Sequence, residues 1–143
     1  MRVGIIGCGN ISDIYVKNAK LFKDIEIVAC SDILPAAAAR LARRYSLREM
    51  KVEALLAADD IEIVLNLTLP AGHAEVSRAA IAAGKHVYSE KPLAISLKDA
   101  VALIEEAETK GLRVGCAPDT ILGAGLQTAK ALIDEGGDRK SVV

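Results

Sequence analysis

Val3-Gly4-Ile5-Ile6-Gly7-Cys8-Gly9-Asn10-Ile11-Ser12 stands near the head of a 143-residue chain. The apolar run Val3, Ile5, Ile6 reads as a strand. It breaks into Gly7-Cys8-Gly9, and a helix-like stretch comes directly after. A strand–turn–helix of this kind sets a pyrophosphate on the amide groups of a helix N-terminus. Gly7 would permit the tight turn, and Gly9 would let the backbone approach the phosphates, where any Cβ would fill the space. Ser12 stands where the fingerprint has a third Gly or Ala, so the motif is incomplete. Its weight depends on residues farther along the chain.

Outward from this turn the chain alternates. Apolar strand-like runs are predicted at 3–6, 25–30, 61–67, 86–89 and 112–116. Ala-rich helical stretches lie between them at 11–22, 35–45, 71–83 and 97–110, with a shorter helical piece at 52–57 and a last helix at 122–135. Near-continuous apolar strands separated by helices argue for a parallel sheet covered on both faces. The expected fold is α/β: a Rossmann-type doubly wound parallel sheet in three α/β/α layers. Pro35 suits the first turn of a helix. Gly84 and Gly111 fall where helices should stop, and Ser96 and Asp99 have the spacing of a capping box with Asp for Glu.

Bulk properties narrow the function. A formal net charge of −1 offers no electrostatic footprint for nucleic acid or an anionic membrane. Aromatics are 3% with no Trp, too few for base-stacking platforms. No apolar run approaches the ~20 residues of a membrane span, and Met1-Arg2 leads directly into a strand with no signal-peptide pattern. Cys8, Cys30 and Cys116 lie far apart, so neither a disulfide framework nor a metal site is indicated. All three read as small hydrophobes in or after strands. The expectation is a reduced, soluble, cytoplasmic protein.

The glycine turn calls for an acidic residue at the end of the second strand, ~20 residues on. Asp32 lies 23 positions beyond Gly9 and comes just after that strand. Its carboxylate would accept from both adenosine ribose hydroxyls and repel a 2′-phosphate, and Ile33-Leu34 brings no Arg to receive one. NAD is therefore expected over NADP. Arg40, Arg43 and Arg44 read as a solvated helix face. Asn66-Leu67-Thr68-Leu69-Pro70 closes the third long strand, and ligands of open parallel sheets lie beyond such ends; Thr68 and Pro70 are placed to line the cofactor. His73, just inside the next helix, either touches the ribose or phosphates or faces solvent.

Gly84-Lys85-His86-Val87-Tyr88-Ser89-Glu90-Lys91-Pro92-Leu93-Ala94 then decides the family. Together with Gly7-Cys8-Gly9-Asn10-Ile11, Asp32 and Thr68-Leu69-Pro70-Ala71-Gly72-His73, it resembles the N-terminal domain of the Gfo/Idh/MocA oxidoreductases, in which Glu-Lys-Pro comes after a strand. The resemblance runs from Val3 through Gly136. It implies a nicotinamide-dependent dehydrogenase acting on a sugar, inositol or related polyol. It places Gly7, Gly9, Asn10, Ile11, Asp32, Thr68, Pro70, His73, Glu90, Lys91 and Pro92 about the cofactor. Lys91 is the implied catalytic residue, its ammonium stabilising a developing alkoxide or assisting proton transfer. Glu90 would serve the nicotinamide end, and Pro92 would fix the turn, with a cis bond before it as a candidate. Cys116-Ala117-Pro118-Asp119-Thr120 departs from the Asn-Arg-rich stretch of many members. Asp119 and Thr120 are either substrate or cofactor contacts or caps for the last helix.

Family members are more than twice this length. The expected division is a dinucleotide-binding domain over 1–120, the start of a linker helix over 121–137, and a foreign-looking tail over 138–143. Asp-Arg-Lys-Ser-Val-Val is what a common sequencing adapter, GATCGGAAGAGCGTCGTG, encodes in frame, with a stop as the next triplet. The natural gene is expected to continue past Gly136, and a short natural paralogue is the alternative. The absent half would carry most of the substrate pocket and the surfaces of a homo-oligomer. Two functions are open: the cofactor-binding half of a dehydrogenase, or a stand-alone NAD-binding module or sensor without turnover. Semialdehyde, dihydrodipicolinate and homoserine-type reductases share the fold but not this pairing of Thr-x-Pro with Glu-Lys-Pro. Ile121, Leu122, Leu126 and Leu132 would leave apolar surface on the last helix, which favours self-association.

Overall fold

The computed structural model describes residues 1–118 and 120–136. It is built from β1 (Arg2–Ile6), α1 (Ser12–Ala19), β2 (Glu26–Ser31), α2 (Pro35–Tyr45), β3 (Arg48–Glu49), α3 (Val52–Ala57), β4 (Ile63–Asn66), α4 (His73–Ala82), β5 (His86–Ser89), α5 (Leu97–Thr109), β6 (Val114–Cys116) and α6 (Ala124–Asp134). The strands form one six-stranded sheet in the order β3-β2-β1-β4-β5-β6, and every pairing is parallel. The chain winds outward from β1 to β3, returns to the other side of β1, and winds outward again to β6. The direction reverses between β1 and β4, and in such sheets the ligand crevice opens at the carboxyl ends of the strands there.

Alternation along each strand feeds two cores. Ile6, Val64 and Val87 pack with Leu55 of α3, Ala80 and Ile81 of α4, and Leu103 and Ala107 of α5. Val3, Ile5, Cys30 and Leu65 pack on the opposite face with Val16 of α1 and Ala38, Leu41 and Ala42 of α2. This is the three-layer, doubly wound arrangement that the sequence pattern predicts. On the α1 face a largely apolar cleft of about 610 Å³ remains beside the helix, lined in part by Ile14, Phe22, Ile63 and Tyr88.

The boundaries show where local pattern stops deciding. α1 ends at Ala19 rather than running on to Phe22. β4 is shorter than the apolar run that announces it. β3 is absent from the sequence reading: two exposed polar residues carry no strand pattern, and only their pairing with Ala29 and Cys30 makes them an edge. The stops of α4 and α5 and the cap of α5 match the sequence closely. Gly84 and Lys85 donate to Ile81 and Ala80, and Gly111 and Leu112 to Glu108 and Ala107, which is the paired bonding of a Schellman stop. Ser96 caps α5 by accepting from the Asp99 amide, while its hydroxyl donates to the Asp99 carboxylate at 2.8 Å. α6 is exposed along its length, with Leu126 and Leu132 among its open apolar residues.

Gly7 has the tightest surroundings of the described glycines. Its φ is +103°, and a Cβ added there would lie 2.5 Å from the backbone carbon of Leu67. Neither strain can be relieved by moving a side chain. Gly7→Ala is therefore expected to lower the free energy of unfolding by at least about 2 kcal/mol. Urea denaturation checks this, and an unchanged midpoint would show that the turn is not held as described.

Candidate dinucleotide-binding site

The glycine turn is anchored from below. The Gly7 amide donates to the Ser31 carbonyl at 2.9 Å, tying the turn to β2. Ser12, 1% exposed, donates its hydroxyl to the Gly9 carbonyl at 2.6 Å. A residue of this size fits beneath the turn where the fingerprint has a third glycine, and it adds a hydrogen bond. Gly9 itself is exposed, and a Cβ there would meet nothing within 4 Å. Packing within the described residues gives no reason for glycine at this position. An open space over the start of a helix does, if a ligand's phosphates come close. Asn10 and Ile11 are exposed beside it, and no side chain caps the start of α1. The Asp13 carboxylate in that first turn is engaged by Arg44 at 2.8 Å and Lys17 at 3.5 Å, which offsets a charge unfavourable to an anion.

Asp32 stands just beyond the end of β2, beside the turn. Its Oδ2 accepts from the Cys8 amide at 2.6 Å and its Oδ1 from the Leu34 amide at 2.8 Å. Each carboxylate oxygen keeps a lone pair for a further donor. Arg40, Arg43 and Arg44 are exposed on α2, as the sequence reading has them, and Arg40 makes a further contact. Its guanidinium reaches back to donate to the Cys8 carbonyl at 3.1 Å. The Cys8 peptide is thus gripped on both sides. Its thiol donates to the Ser31 carbonyl at 3.3 Å, and the adjacent Cys30 sulfur together with burial pushes it up, away from thiolate. Cys8 and Cys30 are buried and reduced, as small hydrophobes would be.

Asn66, fully buried at the end of β4, organises the other side. Its amide nitrogen donates to the His73 carbonyl and to Ser77 Oγ, each at 3.0 Å, and its Oδ1 accepts from the Thr68 amide at 3.2 Å and the Thr68 hydroxyl at 2.7 Å. The Thr68 hydroxyl is therefore turned inward. Pro70 begins a short 3-10 turn (Pro70–Gly72) and is exposed. His73 corrects the sequence reading. It is 1% exposed, so it does not face solvent. Its Nδ1 lies 2.6 Å from the Pro92 carbonyl and its Nε2 2.9 Å from the Thr68 carbonyl, so neither ring nitrogen is left for a ribose or phosphate.

Beyond β5, the Glu90 amide donates to the Asn66 carbonyl at 2.9 Å. The Glu90 carboxylate accepts from Tyr15 of α1 at 2.6 Å and from the Lys91 amide at 3.1 Å. Lys91 is exposed, and the Lys91–Pro92 bond is cis. Thr120 is exposed and does not cap α6, whose N-cap is Gly123 with no side-chain bond; Asp119 and residues 138–143 lie outside the described residues. Sequence reasoning misses Tyr15, Arg40 and the organising role of Asn66. Only Asn66 leaves a local trace, as a polar residue closing an apolar strand.

Burial and the neighbouring Glu90 carboxylate push the Tyr15 phenol above the ordinary tyrosine range, and burial does the same for Tyr88. For an acid raised on folding, the stabilisation is complete below the unfolded value of about 10 and is lost as pH rises through the folded one. An ultraviolet titration of the folded chain should show tyrosinate forming late, and Tyr15→Phe should reduce the alkaline destabilisation. An unchanged stability profile in that variant would remove the assigned contact.

The glycine turn, Asp32, the Thr68 loop and the Glu90–Pro92 turn all lie at the carboxyl ends of β1, β2, β4 and β5, around the point where the sheet's winding reverses. Known proteins share the fold. The sequence model of an oxidoreductase family with an NAD-binding Rossmann fold matches residues 1–117. An inositol 2-dehydrogenase from Saccharopolyspora erythraea is 35% identical over 96% of this chain and 41% of its own. A 3-ketoreductase from Actinomadura kijaniata, solved with NADP and TDP-benzene, superposes with a TM-score of 0.86 at 28% identity, over 95% of this chain and 42% of its own. A dehydrogenase from Chromobacterium violaceum, solved with NADH and UDP-GlcNAcA, gives 0.85 at 28% identity, over 94% and 40%. The chain spans about two fifths of the length of these relatives. Over that span it belongs to the Gfo/Idh/MocA oxidoreductase family, as its NAD-binding Rossmann domain.

Proposed function

We propose that this chain is the cofactor-binding part of an NAD-dependent dehydrogenase that oxidises an alcohol of a sugar, inositol or related polyol. The observation that carries the cofactor reading is Gly9, whose glycine no protein contact requires among the described residues. The pyrophosphate would lie over Gly7 and Gly9, against the first-turn amides at Asn10 and Ile11. Asp32 would accept from the adenosine ribose hydroxyls with the lone pairs left after its bonds to Cys8 and Leu34. Thr68 and Pro70 would line the middle of the cleft, and Glu90, Lys91 and Pro92 the nicotinamide end. A bound nicotinamide supplies the site with a hydride acceptor. Lys91 would hold its ammonium near the substrate hydroxyl, where positive charge stabilises the developing alkoxide.

NAD is favoured over NADP by charge. The Asp32 carboxylate stands where a 2′-phosphate would come, Ile33 and Leu34 bring no cation, and Arg40 is turned onto the Cys8 carbonyl. The polyol class rests on the resemblance to an inositol 2-dehydrogenase. Alone, the chain would bind dinucleotide without turnover, since it spans about two fifths of the length of its relatives; the complete protein would be a homo-oligomer. α6, exposed along its length, would lead into that remainder.

Calorimetric titration with NADH tests the reading, and absence of binding would sink it. Gly9→Ala should weaken NADH binding about tenfold or more, about 1.4 kcal/mol, by filling the space the phosphates need. Its unfolding free energy should stay within about 0.5 kcal/mol, as for other exposed positions. Asp32→Ser should narrow the preference for NADH over NADPH by about tenfold. A preference that survives this change would place the discrimination elsewhere.

A further inference from the structure

We infer that His73 is a positioning residue that fixes the Glu90–Pro92 turn, and Lys91 within it, against the Thr68 loop. The geometry stands by itself, while the consequence for binding rests on the dinucleotide reading above. The main chain is pinned on both sides of Lys91. On one side the Glu90 amide donates to the Asn66 carbonyl at 2.9 Å. On the other the Pro92 carbonyl lies 2.6 Å from His73 Nδ1. The two pins share one root, because the Asn66 amide group donates to the His73 carbonyl at 3.0 Å. The opposite ring nitrogen lies 2.9 Å from the Thr68 carbonyl, so one imidazole sits between the loops beyond two neighbouring strands; an uncharged ring donates to one of the two carbonyls and packs against the other. At 1% exposure the ring is walled in. It touches no part of the open cleft and acts only through the residues it holds.

Such a residue should matter at one end of the ligand. ADP-ribose reaches the glycine turn and Asp32 but lacks the nicotinamide, whereas NADH extends to the Lys91 turn. The experiment is titration of both ligands into the full chain and into His73→Gln, His73→Leu, Lys91→Ala and His73→Leu/Lys91→Ala. The chain should bind NADH more tightly than ADP-ribose. His73→Leu should leave ADP-ribose binding within about twofold and weaken NADH about fivefold or more. Lys91→Ala should do the same. The double variant should lose little beyond either single one, because both act through one turn. His73→Gln, which keeps an amide donor near the ring's place, should recover part of the loss.

An unchanged NADH to ADP-ribose ratio in His73→Leu would overturn the proposal. If His73→Leu loses both ligands together, His73→Gln decides: selective NADH weakening supports positioning, and joint loss reduces His73 to a purely structural residue. Equal binding of the two ligands by the unaltered chain would leave the dinucleotide reading standing and sink this one. Binding of neither would remove both.

Discussion

The side chain of Asn66 is the interaction on which the cleft depends. A buried primary amide offers two donors and two acceptor positions, and each left unmet is costly. Here all four are met: His73 and Ser77 take the donors, and the Thr68 amide and hydroxyl serve the acceptor. Its main-chain carbonyl takes the Glu90 amide as well. A saturated network in a low-dielectric interior is stiff, because any displaced member strands another. The loop after β4, the start of α4 and the turn after β5 are therefore one unit rather than three loops placed separately.

The layered sheet is legible in the sequence because its signal is repeated. Each long strand is an apolar run with a turn residue at its end, and each helix carries its own stop or cap, so many weak signs agree. Gly84, Gly111 and Ser96 work through bonds to residues a few positions away, and the sequence places them correctly. β3 has no such support. Arg48 and Glu49 become a strand only because β2 offers an open edge beside them, which is information from elsewhere in the chain. The early end of α1 at Ala19 is likewise invisible in a stretch where apolar residues recur at Leu21 and Phe22 and no Gly or Pro marks a stop.

The same distinction separates the parts of the site. Gly7, Gly9 and Asp32 stand out because their spacing along the chain is itself the motif. Arg40 looks like one of three arginines on an exposed helix, and only the fold brings it to the Cys8 carbonyl. Tyr15 meets Glu90 across 75 positions. His73 is visible in the sequence as a residue of interest, but its position at a helix start leaves an outward ring open. Burial excludes that, and the ring lies between two backbone carbonyls, either of which its N–H can serve. Long-range partners of this kind turn separate motifs into a site.

The site divides naturally at Gly7. On one side lie the turn, Asp32 and Arg40, carried by β1, β2 and α2; on the other lie Thr68, His73 and the Glu90–Pro92 turn, carried by β4, α4 and β5. Adjacent strands alone would allow the loops above them to settle independently. The absent side chain of Gly7 prevents that, since its backbone lies against Leu67 and Thr68 at a separation no Cβ would permit. The Leu67 amide, donating to the Ile6 carbonyl at 2.8 Å, fixes the same approach from the strand beneath. The spacing between the half that would hold adenosine and the half that would hold nicotinamide is thus set by backbone contact, the least adjustable contact a protein has. Variation in side chains on either half can alter which ligand is preferred, but the span between the halves is fixed by the fold. A dinucleotide needs such a fixed span, because its two ends are joined by a bridge of set length.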